Sequence, residues 1–373
     1  MIDRLVEDRR VVVCCGAGGV GKTTVSAAIG YGMAARGLRV AVVTIDPARR
    51  LATALGLTHL GDEPHRVPPE RFTAEGLEVT GELWALQLDP KATFDRLVAR
   101  HAPSAEARDR ILANRIYRHL SGAVAGAQEY MAVERLYELV EDHRYDRIVL
   151  DTPPAQNALD FLDAPERITR FIEGRSLRLL LRPNNTAGRL GMSVLRTGGA
   201  AVLAMLERVT GAQLLRDVSE FLASFEGMYA GFAERAQAVR GLMLSPDAGF
   251  VVVSAPEPEP VREAVALARR LEEDGFPMAG MVLNRFHPLP PDGPVGASAL
   301  VGPLADAGAP DPPGLAARLA ATLEEAQVLA LHDIDAREAL SAAMGGAPLA
   351  QVPAFAREPV QLAGLAEVAA ALG

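Results

Sequence analysis

The chain has 373 residues, of which 49% are hydrophobic and 23% charged, the mix of a soluble globular protein, and its length allows one elaborated α/β domain or two domains. A net charge of −9 with no long Lys/Arg run argues against non-specific binding of DNA or RNA, whose phosphates need a positive surface. The two cysteines, Cys14 and Cys15, adjoin each other, which excludes a disulfide framework, and no Cys/His spacing suggests a zinc site.

In chain order, acidic residues precede the first short apolar run, so the N-terminal segment does not read as a signal peptide. Residues 10–15 (RVVVCC) read as a buried strand, which makes Cys14 and Cys15 small buried hydrophobes. A Gly-rich loop follows, then a helical run from Thr23 to Arg36 closed by Gly37. Leu38 to Ile45 is a second apolar strand, ending at Asp46. Strand, helix and strand at this spacing form a βαβ unit, so a parallel sheet covered on both faces is expected.

The stretch 58–81 is poorly patterned and carries prolines, and Leu83 to Leu88 reads as another strand. From about Pro90 to Arg144, apolar residues recur at three and four spacing (Ile111, Ile116, Leu120; Met131, Leu136, Leu139), a helical pattern. Arg147 to Leu150 is a short buried strand ending at Asp151, and Ala158 to about Leu244 is helical again. Phe250 to Ser254 and Met278 to Asn284 are strands on either side of a helix, Pro260 to Asp274. Residues 287–313 are rich in Pro and Gly and read as a loop. A helix over 314–343, a short strand at Leu349 to Val352 and a helix over 359–372 follow.

The uncharged stretch Ser341 to Ala356 is broken by Pro348 and Pro353 and falls short of the roughly 20 apolar residues that span a bilayer. A cytoplasmic protein with no transmembrane segment is therefore expected. The fold class is α/β: a mostly parallel sheet covered by helices on both faces, with an inserted α-helical subdomain. The expected divisions are a core segment 1–89, a helical insertion 90–145, a core strand and its following loop 146–157, a helical subdomain 158–245, and a second core segment 246–373.

The residues Gly16-Ala17-Gly18-Gly19-Val20-Gly21-Lys22-Thr23 fit G-x-x-x-x-G-K-[ST] between a strand and a helix, the context a phosphate-binding loop requires. Glycines let backbone N–H groups turn toward phosphate oxygens, and the helix N-terminus adds positive potential. Lys22 would reach the β- and γ-phosphates, the Thr23 hydroxyl would ligate Mg²⁺, and Thr24 completes the set at the helix start. Lys22 and Lys91 are the only lysines among 38 basic residues, so a compact point charge stands where this loop needs one. Asp46 and Asp151 each end a core strand, where ligands of a parallel sheet bind. One could orient the attacking water while the other holds Mg²⁺ through water; the alternative for each is a cap or turn aspartate.

GAGGVGKTT, TIDPARRL (44–51) and DTPPAQNALDFL (151–162) resemble, in order and spacing, the arsenite-pump and tail-anchored-protein-targeting ATPases (ArsA-type), of the deviant Walker A class. The resemblance covers essentially the whole chain. It implies a P-loop NTPase that binds ATP and Mg²⁺ and works as a dimer. It implies that Asp46, in the switch I segment Asp46-Pro47-Ala48, positions the hydrolytic water, and that Asp151-Thr152-Pro153-Pro154 is switch II. It also implies that Asn284 reads adenine while a loop containing Pro353 and Phe355 closes over the base. From the residues alone, Asn284 is a polar residue at a strand end, where a capping Asn is also common.

Departures from the family pattern carry their own expectations. The family hallmark has a lysine where this chain has Ala17, and that lysine reaches the partner's nucleotide across the dimer. Its loss favours a heterodimer with a lysine-bearing paralogue over a homodimer, and a chain that turns over slowly alone. Arg49 or Arg50 could substitute; otherwise both are solvated residues at a helix start. The separated cysteines that bind arsenite and the CxxC zinc clamp are missing, so neither ligand is expected. Met192, Leu195, Val202, Leu203, Met205, Leu206, Met228 and Phe232 form an apolar set. It reads foremost as helix-bundle core and secondarily as a surface for a hydrophobic protein client. A P-loop kinase would need a phosphoacceptor pocket, and no motif for one is visible.

Overall fold

The structure is a computed structural model that describes residues 9–46, 48–114, 127–153, 229–290, 295–343, 348–355 and 361–373. Its described residues form two compact units. One takes in the described parts of Met1–Gln87, Asp142–Ala158 and Met243–Gly373, and the other those of Leu88–Glu141 and Leu159–Leu242.

The first unit is built on an eight-stranded sheet. Its strands are β1 (Val11–Gly16), β2 (Arg39–Thr44), β3 (His65–Arg66), β4 (Glu82–Gln87), β5 (Arg147–Asp151), β6 (Ala248–Ser254), β7 (Met278–Phe286) and β8 (Leu349–Pro353), in the order β3-β4-β2-β5-β1-β6-β7-β8. All neighbours pair parallel except β3 and β4, which are antiparallel. The central strands are continuous Val-rich apolar runs rather than alternating ones, because both faces are covered. Every residue of β1 and β6 is buried.

The helix after β1 packs on β1, β2 and β5. α1 (Lys22–Ala35) is buried on nearly all sides, which explains why it carries so few charges. It ends where the Gly37 and Leu38 N–H groups bond back to Ala34 and Met33 carbonyls. The last helix, Gln361–Leu372, packs on α1 through Leu362, Leu365, Val368 and Leu372. Between these lie short helices α2 (Arg50–Ala54) and α3 (Pro69–Ala74).

The second unit is helical in its described residues: α4 (Pro90–His101), α5 (Ala105–Ala113), α6 (Ala127–Glu141) and α7 (Tyr229–Leu244) through Leu242. Asp89 caps α4 by accepting from the Lys91 and Ala92 N–H groups, and Ser104 caps α5 by accepting from that of Ala107. Met131, Leu136 and Leu139 of α6 are buried as their spacing predicts. Beside them, the buried Glu134 carboxylate accepts from Arg235 at 2.7 Å. The apolar set Met192 to Phe232, together with Ile116 and Leu120, lies outside the residues whose side chains are described.

The remaining elements of the first unit are α8 (Pro258–Glu273), α9 (Ala297–Asp306), α10 (Pro312–Ala343) and the last helix, α11. α8 buries Val261, Ala264, Leu267, Ala268 and Leu271, a single apolar stripe. α9 corrects the expectation of a loop over 287–313: Pro303 stands inside it, and the helix packs against α10. Its Ala and Leu residues favour a helix that the Pro and Gly residues within and around it disguise.

Candidate active site

The carboxyl ends of β1, β2, β5 and β7 face one edge of the sheet, and the candidate residues gather there. Gly16 to Gly21 links β1 to α1. A Cβ on Gly16 would lie 2.1 Å from the Val253 carbonyl oxygen of β6, so the loop leaves the sheet in a space that only glycine fits. Gly21 precedes α1 with φ +92, and a Cβ there would lie 2.2 Å from Asn284 Nδ2. No side chain caps α1, which leaves its first N–H groups to an anion. Lys22 is buried, and its ammonium donates to the Gly16 and Ala17 carbonyl oxygens at 3.1 and 2.7 Å. Burial lowers its pKa, opposed by the Asp151 carboxylate. Ala17 is itself packed into the hydrophobic core.

Asp151 is the electrostatic centre. Its Oδ2 accepts from the Thr23 hydroxyl at 2.7 Å and the Thr44 hydroxyl at 2.9 Å, while its buried Oδ1 has no hydrogen-bond partner. Burial pushes its carboxyl up to about 6, against the two hydroxyls and Lys22, which favour the charged form. A buried carboxylate oxygen without a donor, beside a hydroxyl whose proton is already committed, suits a divalent cation. No group of three or more His, Cys, Asp or Glu among the described residues is arranged to hold a metal. A Mg²⁺ here would therefore depend on Thr23, Asp151, waters and a ligand's phosphates, which is how Mg²⁺ is usually held at phosphate sites.

Asp46 differs from Asp151 in exposure and partners. Its Oδ1 accepts from the Ala48 N–H at 2.9 Å, and its Oδ2 lies 3.7 Å from Arg50. Its carbonyl accepts from Gln87 Nε2 at 3.3 Å. Asp46 lines a cavity of about 640 Å³ together with Gly18, Lys22, Thr23, Arg49 and Arg50, a volume typical of ligand sites. Asp151 is behind this wall, 1% exposed, and accepts from the Thr23 hydroxyl that lines it. The two carboxylates thus meet the phosphate loop from different depths.

A second cavity, of about 620 Å³, is lined by Asn284, Pro353 and Phe355, the three base-side candidates, with Glu257, His287 and Asp333. Asn284 Nδ2 donates to the Val20 carbonyl oxygen at 2.8 Å, which ties this amide to the phosphate loop. The His287 ring and backbone N–H both approach Asp333 Oδ2, at 2.8 and 2.6 Å. Gly21, Thr24 and Arg285 line both cavities.

Thr44, Gln87 and Arg285 were not legible as site residues. Thr44 stands opposite Asp151 in the β2/β5 register, a pairing that local pattern does not encode. Arg285 adopts φ +60, a conformation rare for non-glycine residues that costs about 1–3 kcal/mol. Cys14 and Cys15 are both buried; burial pushes the Cys14 thiol up to about 12 and raises Cys15 further. Pro47 and Pro154, the remaining switch residues, lie outside the described residues. Among the described residues no helix is long and apolar enough to cross a membrane.

The model of the anion-transporting ATPase family matches residues 9–293. Among curated relatives, an ATPase GET3 from Malassezia globosa is 30% identical over 173 residues, 44% of this chain and 47% of the relative. An uncharacterized protein from Streptomyces coelicolor is 33% identical over 181 residues, 48% of this chain and 42% of the relative. An ATPase ARSA2 from Chlamydomonas reinhardtii is 26% identical over 275 residues, 73% of this chain and 66% of the relative. The chain spans about half the length of the first of these relatives.

Proposed function

Since the chain belongs to the anion-transporting ATPase family, we propose that it is a Mg²⁺-dependent ATPase that cleaves ATP to ADP and phosphate as a nucleotide switch. The observation that carries this reading is the Thr23–Asp151–Thr44 cluster with its unpartnered Asp151 Oδ1, set directly behind the phosphate loop. Lys22 and the first N–H groups of α1 hold the β- and γ-phosphates. Thr23 and Asp151 hold Mg²⁺, which when bound offsets phosphate charge. Asp46, the more exposed carboxylate, orients the water that attacks the γ-phosphorus; the bond to the bridging oxygen breaks and ADP leaves. Asn284, Pro353 and Phe355 surround the base.

The finer reading couples turnover to the helical unit, and chain continuity supports it. Gln87, bonded to the Asp46 carbonyl, is the last residue before one helical segment. Asp151, Thr152 and Pro153 lead in sequence toward the other. Release of phosphate would free both segments together and so move the helices, where a hydrophobic client would bind. The protein is read as cytoplasmic and dimeric.

Lys22→Ala tests the central reading. ATP affinity and turnover should both collapse, measured by titration calorimetry and phosphate release; unchanged values would remove it.

Ala17 favours a second reading, a slow subunit paired with a lysine-bearing relative. This position is uncharged and buried, so it supplies no cation to a partner's nucleotide. Arg49 and Arg50, both on the wall of the phosphate cavity, are the competing sources of charge. Fast turnover of the pure chain, with no gain on mixing and loss on Arg49→Ala, would exclude the heterodimer.

A further inference from the structure

Asn284 and Arg285 are consecutive residues at the end of β7. In a regular strand, consecutive side chains point to opposite faces, so only one of them could face a given cavity. Here both line the base-side cavity. The reason is a break in the β7/β8 ladder: Leu283 pairs with Gln351, but the next pair is Phe286 with Pro353, so two residues of β7 stand against one of β8. Such a bulge re-aims side chains, and it places Arg285 in the left-handed region at φ +60. The strand recovers at once, for the Phe286 carbonyl accepts from the Ala354 N–H at 2.9 Å. The irregularity is confined to Asn284 and Arg285.

The Arg285 side chain is also unspent. It makes no hydrogen bond, ion pair or ring contact with any described residue, although Glu257 and Asp333 line the same cavity. It borders the phosphate cavity as well, and shares that double position with Gly21 and Thr24 alone. Lys22, Thr23 and Asp46 lie in the phosphate cavity, and Asn284, Pro353 and Phe355 in the other. The junction therefore corresponds to the part of a nucleotide between its terminal phosphates and its base.

We propose that Arg285 is a nucleotide-binding cation, whose guanidinium holds phosphate oxygens of a nucleoside di- or triphosphate at the junction of the two cavities. A guanidinium fork matches phosphate oxygens in pairs, which a lysine cannot do. The proposal rests on the ATPase reading. It assigns Arg285 to the part that ATP and ADP share, so the interaction contributes equally before and after cleavage. It acts as uniform binding and leaves the chemical step alone.

Arg285→Gly removes the guanidinium while suiting the left-handed backbone, so the fold is kept. Titration calorimetry with ATP, ADP and adenosine, in Mg²⁺, reads the result. The expected outcome is a rise in Kd of about 10-fold or more for ATP and ADP alike, no change for adenosine, and kcat within about twofold at saturating ATP. Arg285→Lys should recover part of the loss. Wild-type protein that binds neither nucleotide would overturn the ATPase reading and this one with it. Wild-type binding with an Arg285→Gly variant of equal affinity would overturn this one alone. A loss confined to ATP with a fall in kcat would place the guanidinium at the terminal phosphate and overturn the assignment to the junction.

Discussion

The Thr44 hydroxyl donates to Asp151 Oδ2 at 2.9 Å, across a strand pair whose register sets these two residues opposite each other. Together with Thr23 it fixes one oxygen of the carboxylate and leaves the other unpartnered. A residue that orients a metal ligand in this way typically affects metal affinity by about 10–100-fold. Thr44→Val keeps the shape and removes the donor. The Mg²⁺ concentration for half-maximal turnover should rise by about 10–100-fold, with Thr44→Ser near wild type. An unchanged Mg²⁺ requirement would leave Thr44 as strand packing only.

Asp46→Asn keeps the oxygen that accepts from the Ala48 N–H, so the loop should hold its shape. It removes the charge that would orient water. ATP affinity should stay within a few-fold while turnover falls by about 10²-fold or more, the scale of a positioned proton acceptor. Near-normal turnover would reduce Asp46 to a turn residue.

Gly21 and Asn284 are matched in space: φ is +92 at Gly21, and its missing Cβ leaves room for the Asn284 amide. Gly21→Ala should destabilise the fold by about 1–3 kcal/mol in urea unfolding and weaken ATP binding. Asn284→Ala in the same chain should recover part of the loss, since the clash disappears while the backbone strain remains. Strict additivity of the two substitutions would show that the contact carries no coupling.

Burial raises the Asp151 carboxyl from 3.8 to about 6. The fold therefore disfavours its charged form. The stability this group contributes is present below about pH 4 and is lost as pH rises through about 6. The difference corresponds to about 3 kcal/mol. Metal-free protein should lose stability over that interval relative to Asp151→Asn, read by urea unfolding in chelator at a series of pH values. Parallel curves for the two proteins would remove the predicted penalty.

The amino-acid sequence alone determined the phosphate loop, the parallel core and the strand-end aspartates, because each is written locally. Gly16 to Thr23 combines a turn, a point charge and a helix start within eight consecutive positions, and the apolar runs of β1, β2 and β5 need no partner to be recognised. Asn284, Pro353 and Phe355 are marked by the family resemblance and not by any local pattern, and the structure sets all three on one cavity. Helix α9 was hidden because Pro and Gly weigh as breakers in sequence, while packing against α10 is a tertiary term. Only the tertiary structure decided that Asp46 lines the cavity while Asp151 lies buried behind Thr23, since depth depends on which strands are neighbours. It alone brought Thr44 to Asp151, through the parallel register of β2 and β5. It alone aimed Arg285 at the junction of the two cavities, because a one-residue slip between β7 and β8 is a relation between strands and leaves no mark in either one.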